Sequence, residues 1–388
     1  MKYAHIVGWG SYMPDKVLTN HDLAQIVDTS DDWIYTRTGI RERRIANEKE
    51  TTATLAFEAA ARALLVAGIH PSQVELIIVA TSTPEYIFPS TACRVQDYLG
   101  ANRAGAFDLS AACSGFVYGL SMAANSIAAG AVKNAIVIGS ETMSRVLDWE
   151  DRGTCILFGD GAGAVVLQGS SVPGGVLSSG LRSDGSGADM LSLPAVYHNP
   201  MPMLGPEYLH QNGHRKNTVA MNGRQVFRFA TRVVSESIAD VVEKADLTMD
   251  EIDLIVPHQA NTRIIETAAK RLKIPMEKFY LNVHRAGNTS AASIPIALCD
   301  AVEDGRLQPD TNLVFVGFGG GLTWASAVVK WDMTPLPTSL REREWKRARY
   351  IYARTRSRIK KLRRRVVDRV AGSPIPGARL KDADKNKR

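Results

Sequence analysis

The sequence repeats its own pattern at an offset of about 177 residues, and this repeat constrains the fold more strongly than any other feature. The paired apolar runs lie at residues 75–80 and 252–257, and at residues 135–139 and 313–317. Each run predicts a buried strand that leads into a polar or glycine-containing loop. Cys113 falls opposite Ser290 in this alignment, and both begin stretches of small residues that are typical of buried helices. The chain is therefore expected to contain two similar α/β halves.

Helical segments alternate with the predicted strands. They are predicted at residues 51–68, 89–99, 224–245 and 261–272. This alternation favours mainly parallel sheets covered by helices on both faces, and in such folds ligand sites collect at the carboxyl ends of the strands. Residues 180–219 are rich in Pro, Met, His and Gly and lack periodicity, so we expect a substrate-covering or interface loop there.

Length and cysteine usage narrow the class of protein. A chain of 388 residues suits two core-sized units. The four cysteines (Cys93, Cys113, Cys155 and Cys299) are widely spaced, so neither a disulfide framework nor a metal site is expected, and a reducing cytoplasm fits best. Residues 1–10 read as a first strand, and we expect neither a signal peptide nor a membrane-spanning segment.

The basic charge of the chain is concentrated at its C-terminus. The formal net charge is +7, but residues 332–388 contain 19 Lys plus Arg and 6 Asp plus Glu (+13), which leaves −6 for residues 1–331. Apolar residues recur there every three or four positions and predict an amphipathic basic helix: Trp345, Ala348, Tyr352, Thr355, Ile359, Leu362 and Val366.

This extension has several interpretations. It could attach to a membrane surface or dock an acidic partner, or it could be a solvated helix packed loosely on the body, with residues 371–388 disordered. Nucleic acid is the least favoured partner, because basic charge is the only feature that indicates it.

Three side chains capable of covalent chemistry directly follow strand signals. Cys113 precedes a helix predicted at residues 114–130, whose N-terminus would favour the thiolate. His258 ends the strand at 252–257, and Asn288 precedes the second small-residue stretch. Each has a structural alternative when taken singly: a packed thiol, a hydrogen-bonded histidine and a helix cap. Together, within a two-fold repeat, they predict covalent acyl chemistry at the junction of the halves.

Six ordered motifs resemble those of the 3-oxoacyl-acyl-carrier-protein synthase III family of the thiolase superfamily. They lie at residues 32–43, 111–115, 151–162, 257–261, 287–292 and 317–324. The resemblance spans about residues 1–331 and implies a five-layered αβαβα fold, with halves at 1–171 and 172–331 followed by the basic helical extension at 332–388. It also implies a homodimer.

The resemblance implies an acyltransferase without a cofactor. Such an enzyme joins an acyl-CoA starter to malonyl-acyl-carrier protein with loss of CO₂ and so initiates fatty acid synthesis. Degradative thiolases carry a second catalytic cysteine near the C-terminal glycines, and residues 317–324 contain none. The main alternative is a starter-loading acyltransferase or a condensing enzyme of a specialised lipid or polyketide pathway. A cysteine thioester hydrolase and a non-catalytic binding protein are weaker alternatives.

The resemblance also assigns roles at the reacting centre. Cys113 would accept the acyl group, and His258 and Asn288 would donate hydrogen bonds to the thioester oxygen of the malonyl group. The backbone N–H groups of Cys113 and Gly320 would form an oxyanion hole, since glycine permits close approach of the backbone.

Further residues match substrate contacts of the family. Trp33 and Arg152 would sandwich the adenine of CoA, Arg37 would reach a phosphate, and Arg263 would dock the carrier protein. Other expected contacts are Phe227, Asn261 and Phe88, the last of which would reach into the acyl pocket of the partner subunit.

The chain departs from the family pattern at a few positions. His284 and Ala286 replace an acidic residue and a Tyr or His, which would change the width or hydration of the site. Arg224 replaces an Asn that contacts pantetheine in some relatives. The glycine-rich run at residues 160–163 lacks the Lys and the spacing of a nucleotide site, so we interpret it as structural.

Overall fold

Two successive runs of strands and helices make up the body of the protein. The computed structural model describes residues 2–194 and 218–333, together with Thr355, Ile359 and Leu362. The first run comprises β1 (Tyr3–Tyr12), β2 (Lys16–Thr19), α1 (Asn20–Leu23), α2 (Asp31–Thr38), β3 (Glu42–Ile45), α3 (Thr52–Ala67), β4 (Leu76–Ala80), α4 (Thr91–Leu99), β5 (Gly105–Leu109), α5 (Gly115–Ala128), β6 (Asn134–Thr142) and β7 (Asp160–Ser170). The second comprises β8 (Gly175–Ser183), β9 (Leu191–Ser192), β10 (Ala220–Met221), α6 (Gly223–Glu243), β11 (Leu254–Pro257), α7 (Thr262–Leu272), α8 (Val283–Ala286), α9 (Ser293–Glu303), β12 (Thr311–Gly319) and β13 (Thr323–Trp331).

The two main sheets repeat one strand order. The first sheet is β1-β7-β6-β4-β5, and the second is β8-β13-β12-β11. A parallel bridge from Ile255 to Phe279 lies beside β11, where β5 lies in the first sheet. The predicted repeat is thus visible strand by strand, and short ribbons of β2 with β3 and of β9 with β10 are additions to it.

Both main sheets are mixed, and the expectation of mainly parallel sheets was wrong. The pairs β4–β5, β4–β6 and β11–β12 are parallel, whereas β1–β7, β6–β7, β12–β13 and β13–β8 are antiparallel. The reason is clearest for β12 and β13, which are joined by residues 320–322. A connection this short can only form a hairpin, because a parallel crossover needs a dozen or more residues.

Helices and sheets stack in five layers, which confirms the predicted αβαβα fold. Helices α3 and α4 cover the outer face of the first sheet, and α6 and α7 cover that of the second. Helices α5 and α9 lie between the sheets. Their small residues allow this close packing: a Cβ at Gly119 of α5 would lie 3.0 Å from Val137. Phe116 and Phe315 meet edge to face at 6.0 Å across this central layer.

Helix ends follow the capping residues in the sequence. Helix α3, predicted at 51–68, begins after the Thr51 cap and ends at Gly68, which has a φ of 67°. Helix α4 begins at Thr91 rather than at Pro89, because the Ser90 side chain accepts a hydrogen bond from the Cys93 N–H and acts as the cap. The run at 160–163, interpreted as structural, is the start of β7.

The segments outside the repeat are described in part. The predicted boundary between residues 171 and 172 falls between β7 and β8, and as a division into two units it stays a prediction. Of the predicted loop at 180–219, residues 195–217 lie outside the described residues. In the basic extension, Thr355, Ile359 and Leu362 are helical and exposed, and the rest of the predicted amphipathic helix lies outside the described residues. Within the described ranges, no helix is both long and apolar enough to cross a bilayer.

Candidate active site

Cys113 lies on a tight turn between β5 and α5. The turn spans residues Ala112–Ser114, and Ala112 adopts a left-handed conformation with a φ of 45°. The second half contains the same turn at Ser290–Ala292, where Ser290 has a φ of 48°. The local offset is therefore 178 rather than 177, so Ser290 corresponds to Ala112, and the sequence alignment of Ser290 with Cys113 was wrong by one residue.

The Cys113 thiol is buried and protonated in the free protein. Only 6% of the residue is exposed, and burial raises the pKa of the thiol to about 12. A hydrogen bond from Sγ to the hydroxyl oxygen of Ser290, 3.5 Å long, lowers this pKa only in part. The expectation that the helix N-terminus favours the thiolate was therefore wrong for the resting protein, because desolvation outweighs the stabilising interactions.

Glycines let the turn of each half dock on a strand of the other half. A Cβ at Gly317 of β12 would lie 3.0 Å from Ser114 Cα, and one at Gly319 would lie 2.7 Å from the Cys113 nitrogen. At the corresponding point of β6, a Cβ at Gly139 would lie 2.1 Å from the Ala291 carbonyl oxygen. No side chain fits at these contacts, so the glycines bring both turns together between the sheets.

His258 follows β11 directly and is almost completely buried. Its Nδ1 lies 2.6 Å from the hydroxyl oxygen of Ser293, the first residue of α9, and its ring packs edge to face on Phe318 at 5.1 Å. Burial lowers the pKa of the imidazole to about 3. The ring is therefore neutral at physiological pH, with one nitrogen as donor and the other as acceptor.

Asn288 presents a donor to the same region. Its side-chain oxygen accepts a hydrogen bond from the Ser290 N–H at 2.9 Å, and its backbone pairs with Leu157 and Gly159. Because the oxygen is engaged, the Nδ2 amide group is the free donor; it has no hydrogen bond to any of the described residues. The residue is 5% exposed and is fixed on both sides.

Glu141 is a buried carboxylate that sequence analysis missed. It lies near the end of β6 and accepts hydrogen bonds from Thr81 Oγ1, the Ser82 N–H, Thr83 Oγ1 and Ser290 Oγ. Burial raises the pKa of its carboxyl group, while these donors act in the opposite direction. An acidic residue at the carboxyl end of an otherwise apolar strand was the signal that could have identified it.

The residues predicted to carry the chemistry line one cavity of about 580 Å³. Cys113, His258 and Asn288 all line it. Six other predicted residues line the same cavity: Trp33, Arg37, Arg152, Phe227, Asn261 and Arg263. Leu191, which lies within the predicted covering loop, and Met221, which follows it, lie on the cavity wall as well. The residues predicted to react and those predicted to contact substrate thus share one continuous space, as pockets for small molecules require.

Two guanidinium groups flank Trp33 at the cavity. The Arg37 and Arg152 guanidinium carbons lie 4.4 Å and 5.2 Å from the centroid of its ring. Arg152 also forms an exposed ion pair with Asp28 at 3.4 Å. A ring stacked between Trp33 and Arg152 needs a gap of about 7 Å, twice a van der Waals separation. The 5.2 Å between Arg152 and Trp33 is therefore less than the predicted adenine sandwich needs.

Asn261 and Arg263 lie at the start of α7. The Asn261 side chain caps this helix by accepting from the Arg263 N–H and donates to the Arg37 carbonyl oxygen, both at 2.9 Å. Because both polar atoms are engaged, Asn261 orients its neighbours and offers the cavity little hydrogen-bonding capacity. The Arg263 guanidinium is exposed and lies 5.7 Å from the Phe227 ring centroid. Arg224, one of the departures, also lines the cavity.

Other sequence-predicted residues lie outside this cavity. Gly320 follows Gly319 in the glycine run but is not part of the cavity wall, and Phe88 is 85% exposed. His284 and Ala286 do not line the cavity either. His284 instead borders a separate surface cavity of about 450 Å³ with Tyr280 and Arg285, and Ala286 is buried. An effect of these two departures on the width or hydration of the site stays a prediction. Across residues 2–194 and 218–333, no cluster of side chains could hold a metal ion.

The buried Cys, the neutral His and the Asn donor line one cavity at the junction of two repeated α/β halves. This arrangement fits a thiolase-like condensing enzyme, for which the predicted roles are an acyl-carrying thiol and two side chains that donate hydrogen bonds to an oxygen.

Comparison with known proteins identifies the family. The profile described as "3-Oxoacyl-[acyl-carrier-protein (ACP)] synthase III" matches residues 107–185, and the one for the C terminal of the same synthase matches residues 242–331. Beta-ketoacyl-[acyl-carrier-protein] synthase III of Desulfitobacterium hafniense (strain Y51) is 51% identical over 327 residues, covering 84% of this chain and 97% of that protein. Its counterpart in Roseiflexus sp. (strain RS-1) is 50% identical and covers 85% of this chain and 98% of that protein.

A solved structure agrees with the sequence relatives. The structure of 3-oxoacyl-[acyl-carrier-protein] synthase III from Aquifex aeolicus VF5 superposes with a TM-score of 0.78 at 45% identity, over 84% of this chain and 100% of that one. The chain belongs to the 3-oxoacyl-[acyl-carrier-protein] synthase III family of acyl-transferring condensing enzymes. The predicted resemblance is thereby confirmed.

Proposed function

We propose that the protein joins an acyl-CoA starter to malonyl-acyl-carrier protein, releasing CO₂ and CoA, and that the 3-oxoacyl product initiates fatty acid synthesis. The observation that carries this proposal is the single cavity lined by Cys113, His258 and Asn288. A family relationship at about 50% identity over nearly the full length of the relatives supports the same reaction.

In the first half-reaction, Cys113 Sγ attacks the thioester carbonyl of acyl-CoA. A bond forms between sulfur and the acyl carbon, and the CoA thiolate leaves, so the first carrier can depart before the second substrate enters. The oxyanion of the tetrahedral intermediate requires backbone donors, for which we propose the N–H groups of Cys113 and Gly320. The packing of Gly319 against the Cys113 nitrogen supports this, because it brings the glycine run to the turn.

In the second half-reaction, the malonyl group on the carrier protein loses CO₂. The electron pair of the broken carbon–carbon bond then forms an enolate. We propose that Ser293 is the donor in its 2.6 Å contact with Nδ1 of His258, so that Nε2 carries the proton and donates to the enolate oxygen together with Asn288 Nδ2. Donors of this kind in a dry site stabilise developing charge by about 3 kcal/mol each. The enolate carbon then attacks the acyl group on Cys113, and the cysteine sulfur is the leaving group.

We assign binding of CoA and of the acyl-carrier protein to the wall and mouth of the cavity. Trp33, Arg37 and Arg152 would bind the adenine and phosphates of CoA, since planar guanidinium groups stack on rings and pair with phosphates. Phe227 would contact the pantetheine arm. The exposed Arg263 would attract the acidic surface of the carrier protein. These steps need no cofactor, because the thioesters and the malonyl carboxylate supply the chemistry.

We further propose that the protein is a cytoplasmic homodimer. Tyr86, Ile87 and Phe88 are 58%, 65% and 85% exposed, and such a run of apolar side chains favours an interface. Phe88 would then reach the acyl pocket of the partner subunit. Contacts of the extension at 332–388 with a membrane surface or an acidic partner stay predictions.

The alternatives have less support. A starter-loading or specialised-pathway role is not favoured by relatives at 48–51% identity that are all named as synthase III. A cysteine hydrolase needs its histidine as a base. His258 is a poor base, because its Nδ1 contacts Ser293 and the pKa of its ring is lowered to about 3.

A panel of acyl-CoA starters with malonyl-carrier protein tests the proposal. The wild-type protein should form a 3-oxoacyl product with at least one starter, and Cys113→Ala should form none. Cys299→Ala is the matched control, since Cys299 is also buried but does not line the cavity, and it should retain condensation. Absence of product with every starter, or normal condensation by Cys113→Ala, would refute the proposed function.

A further inference from the structure

The proposed mechanism leaves the Cys113 thiol without a proton acceptor. Burial raises the pKa of this thiol to about 12, so attack on a thioester requires removal of its proton. His258 does not fill this role, because the pKa of its imidazole is lowered to about 3 and its Nδ1 contacts Ser293. Another group must receive the proton.

Hydrogen bonds connect the thiol to a buried carboxylate. Cys113 Sγ donates to the Ser290 hydroxyl oxygen at 3.5 Å, and that hydroxyl donates to Glu141 Oε1 at 3.0 Å. Ser290 and Glu141 are 2% and 0% exposed. Both bonds point in the same direction, from sulfur to carboxylate, which is the order that a proton relay requires.

The other partners of Glu141 favour its ionised form. Thr81 Oγ1, the Ser82 N–H and Thr83 Oγ1 all donate to it, at distances between 2.6 and 3.2 Å, and a carboxylate can accept all of these bonds. Burial also raises the pKa of this carboxyl group, which makes the carboxylate a stronger base than an exposed one.

Only one of the two halves supplies a carboxylate to the turn of the other half. Ser290 corresponds to Ala112, and Glu141 corresponds at the same offset of 178 to Gly319. The strand end of the first half therefore supplies a carboxylate to the Ser290 turn, whereas the strand end of the second half supplies a glycine that packs on Cys113. The repeat has diverged at the positions that link the sulfur to a base.

We propose that Ser290 and Glu141 form a proton relay that accepts the proton of the Cys113 thiol during acylation. This inference rests on the proposed function and adds two residues to it. As sulfur bonds to the acyl carbon, its proton moves to the Ser290 oxygen, and the Ser290 proton moves to Glu141. CoA leaves as a thiolate and takes a proton from solvent. When the enolate displaces Cys113, the proton returns from Glu141 through Ser290 to the sulfur, so one solvent proton is consumed in each cycle.

The test compares Glu141→Gln and Ser290→Ala with the wild-type protein. Alanine is accommodated in this turn, since Ala112 adopts the same conformation in the other half. Ser144→Ala is the matched control, because the Ser144 hydroxyl also donates to a buried carboxylate, that of Asp160, at 2.6 Å and lies away from the cavity. The first readout is the rate constant of Cys113 acylation by labelled acyl-CoA without malonyl-carrier protein.

The relay predicts that both variants acylate about 100-fold more slowly, the magnitude typical of a lost general base. The KM for acyl-CoA should stay the same, and the double variant should be no slower than the slower single variant. Ser144→Ala should acylate like the wild-type protein. Additive losses in the double variant would contradict a relay, because groups that act in series fail together.

The second readout is alkylation of Cys113 by iodoacetamide at pH 8, followed by peptide mass spectrometry. If Glu141 acted only through its charge, Glu141→Gln would alkylate faster, because the carboxylate disfavours a nearby thiolate. The relay predicts the opposite, a rate at least 10-fold slower. An equal or faster rate in Glu141→Gln overturns the proposal. Alkylation requires no acyl substrate, so this readout stands even if the proposed condensation fails.

Discussion

The hydroxyl oxygen of Ser293 lies 2.6 Å from Nδ1 of His258, and both groups are buried at the start of α9. With Ser293 as the donor to Nδ1, as proposed above, Nε2 is the imidazole nitrogen that carries the proton. A group that sets the tautomer of a histidine influences chemistry that it does not touch.

Removal of the Ser293 hydroxyl should slow decarboxylation. In Ser293→Ala, the Nδ1 tautomer becomes accessible, and the enolate loses one donor for part of the time. We expect kcat for condensation to fall about 10-fold with little change in the KM for malonyl-carrier protein. Ser237→Ala removes a buried hydroxyl that donates to Ser326 outside the cavity, and it should keep the wild-type kcat. Equal losses in both variants would indicate a general packing effect instead.

The buried neutral His258 should make the protein sensitive to acid. Its pKa is lowered from 6.5 to about 3 on folding, so the unfolded state binds more protons between these values and stability falls as the pH drops. This linkage lowers the free energy of unfolding of the wild-type protein by about 2 kcal/mol between pH 7 and pH 5. Urea unfolding of wild type and His258→Gln at both pH values isolates this contribution. A loss equal in the two proteins would show that another group is responsible.

Gly139 should tolerate no side chain. A Cβ at this position would lie 2.1 Å from the Ala291 carbonyl oxygen, so Gly139→Ala must displace the turn that carries Ser290. We expect a loss of about 3 kcal/mol in the free energy of unfolding, measured in urea, and a lower acylation rate. Gly185→Ala is the control, because a Cβ there meets no atom within 4 Å and its φ is not positive. Unchanged stability of Gly139→Ala would disprove the cross-half docking of the turns.

Reversal of charge at Arg263 should affect only one substrate. Because Arg263 is exposed at the rim of the cavity, Arg263→Glu would repel an acidic carrier protein. The KM for malonyl-carrier protein should rise about 10-fold and depend less on salt, whereas the KM for acyl-CoA should change by less than about two-fold. Lys270→Glu alters the same helix at its other end and serves as the control. An equal rise in both KM values would assign Arg263 to a different role.

Much of the fold could be predicted from local patterns. The strands at 75–80 and 135–139, the helix at 51–68 and the repeat of these elements all lie close to the predicted positions, because alternation of apolar segments and capping residues is a local property. The direction of strand pairing could not be predicted in the same way. It depends on where chain connections turn back, as at residues 320–322.

The candidate site was predictable to a similar extent. Cys113, His258 and Asn288 were identified because each follows a predicted strand signal, and the structure places them on one cavity. Only His258 directly follows a strand, however: Cys113 lies on the turn after β5, and Asn288 follows α8, so that part of the prediction was wrong for Asn288. Ser293 and Glu141 were missed. Their roles depend on a single contact each, with His258 and with Ser290, and neither contact leaves a periodic signal in the sequence.

The sequence by itself determined the two-fold α/β architecture, the order of its elements and the reactive side chains at the strand ends. Only the tertiary structure decided their protonation: the Cys113 thiol keeps its proton, and His258 is neutral. Protonation depends on desolvation and on contacts between residues far apart in the chain, such as Ser290 and Glu141, which are separated by 149 positions. Burial and such contacts exist only once both halves have packed against each other.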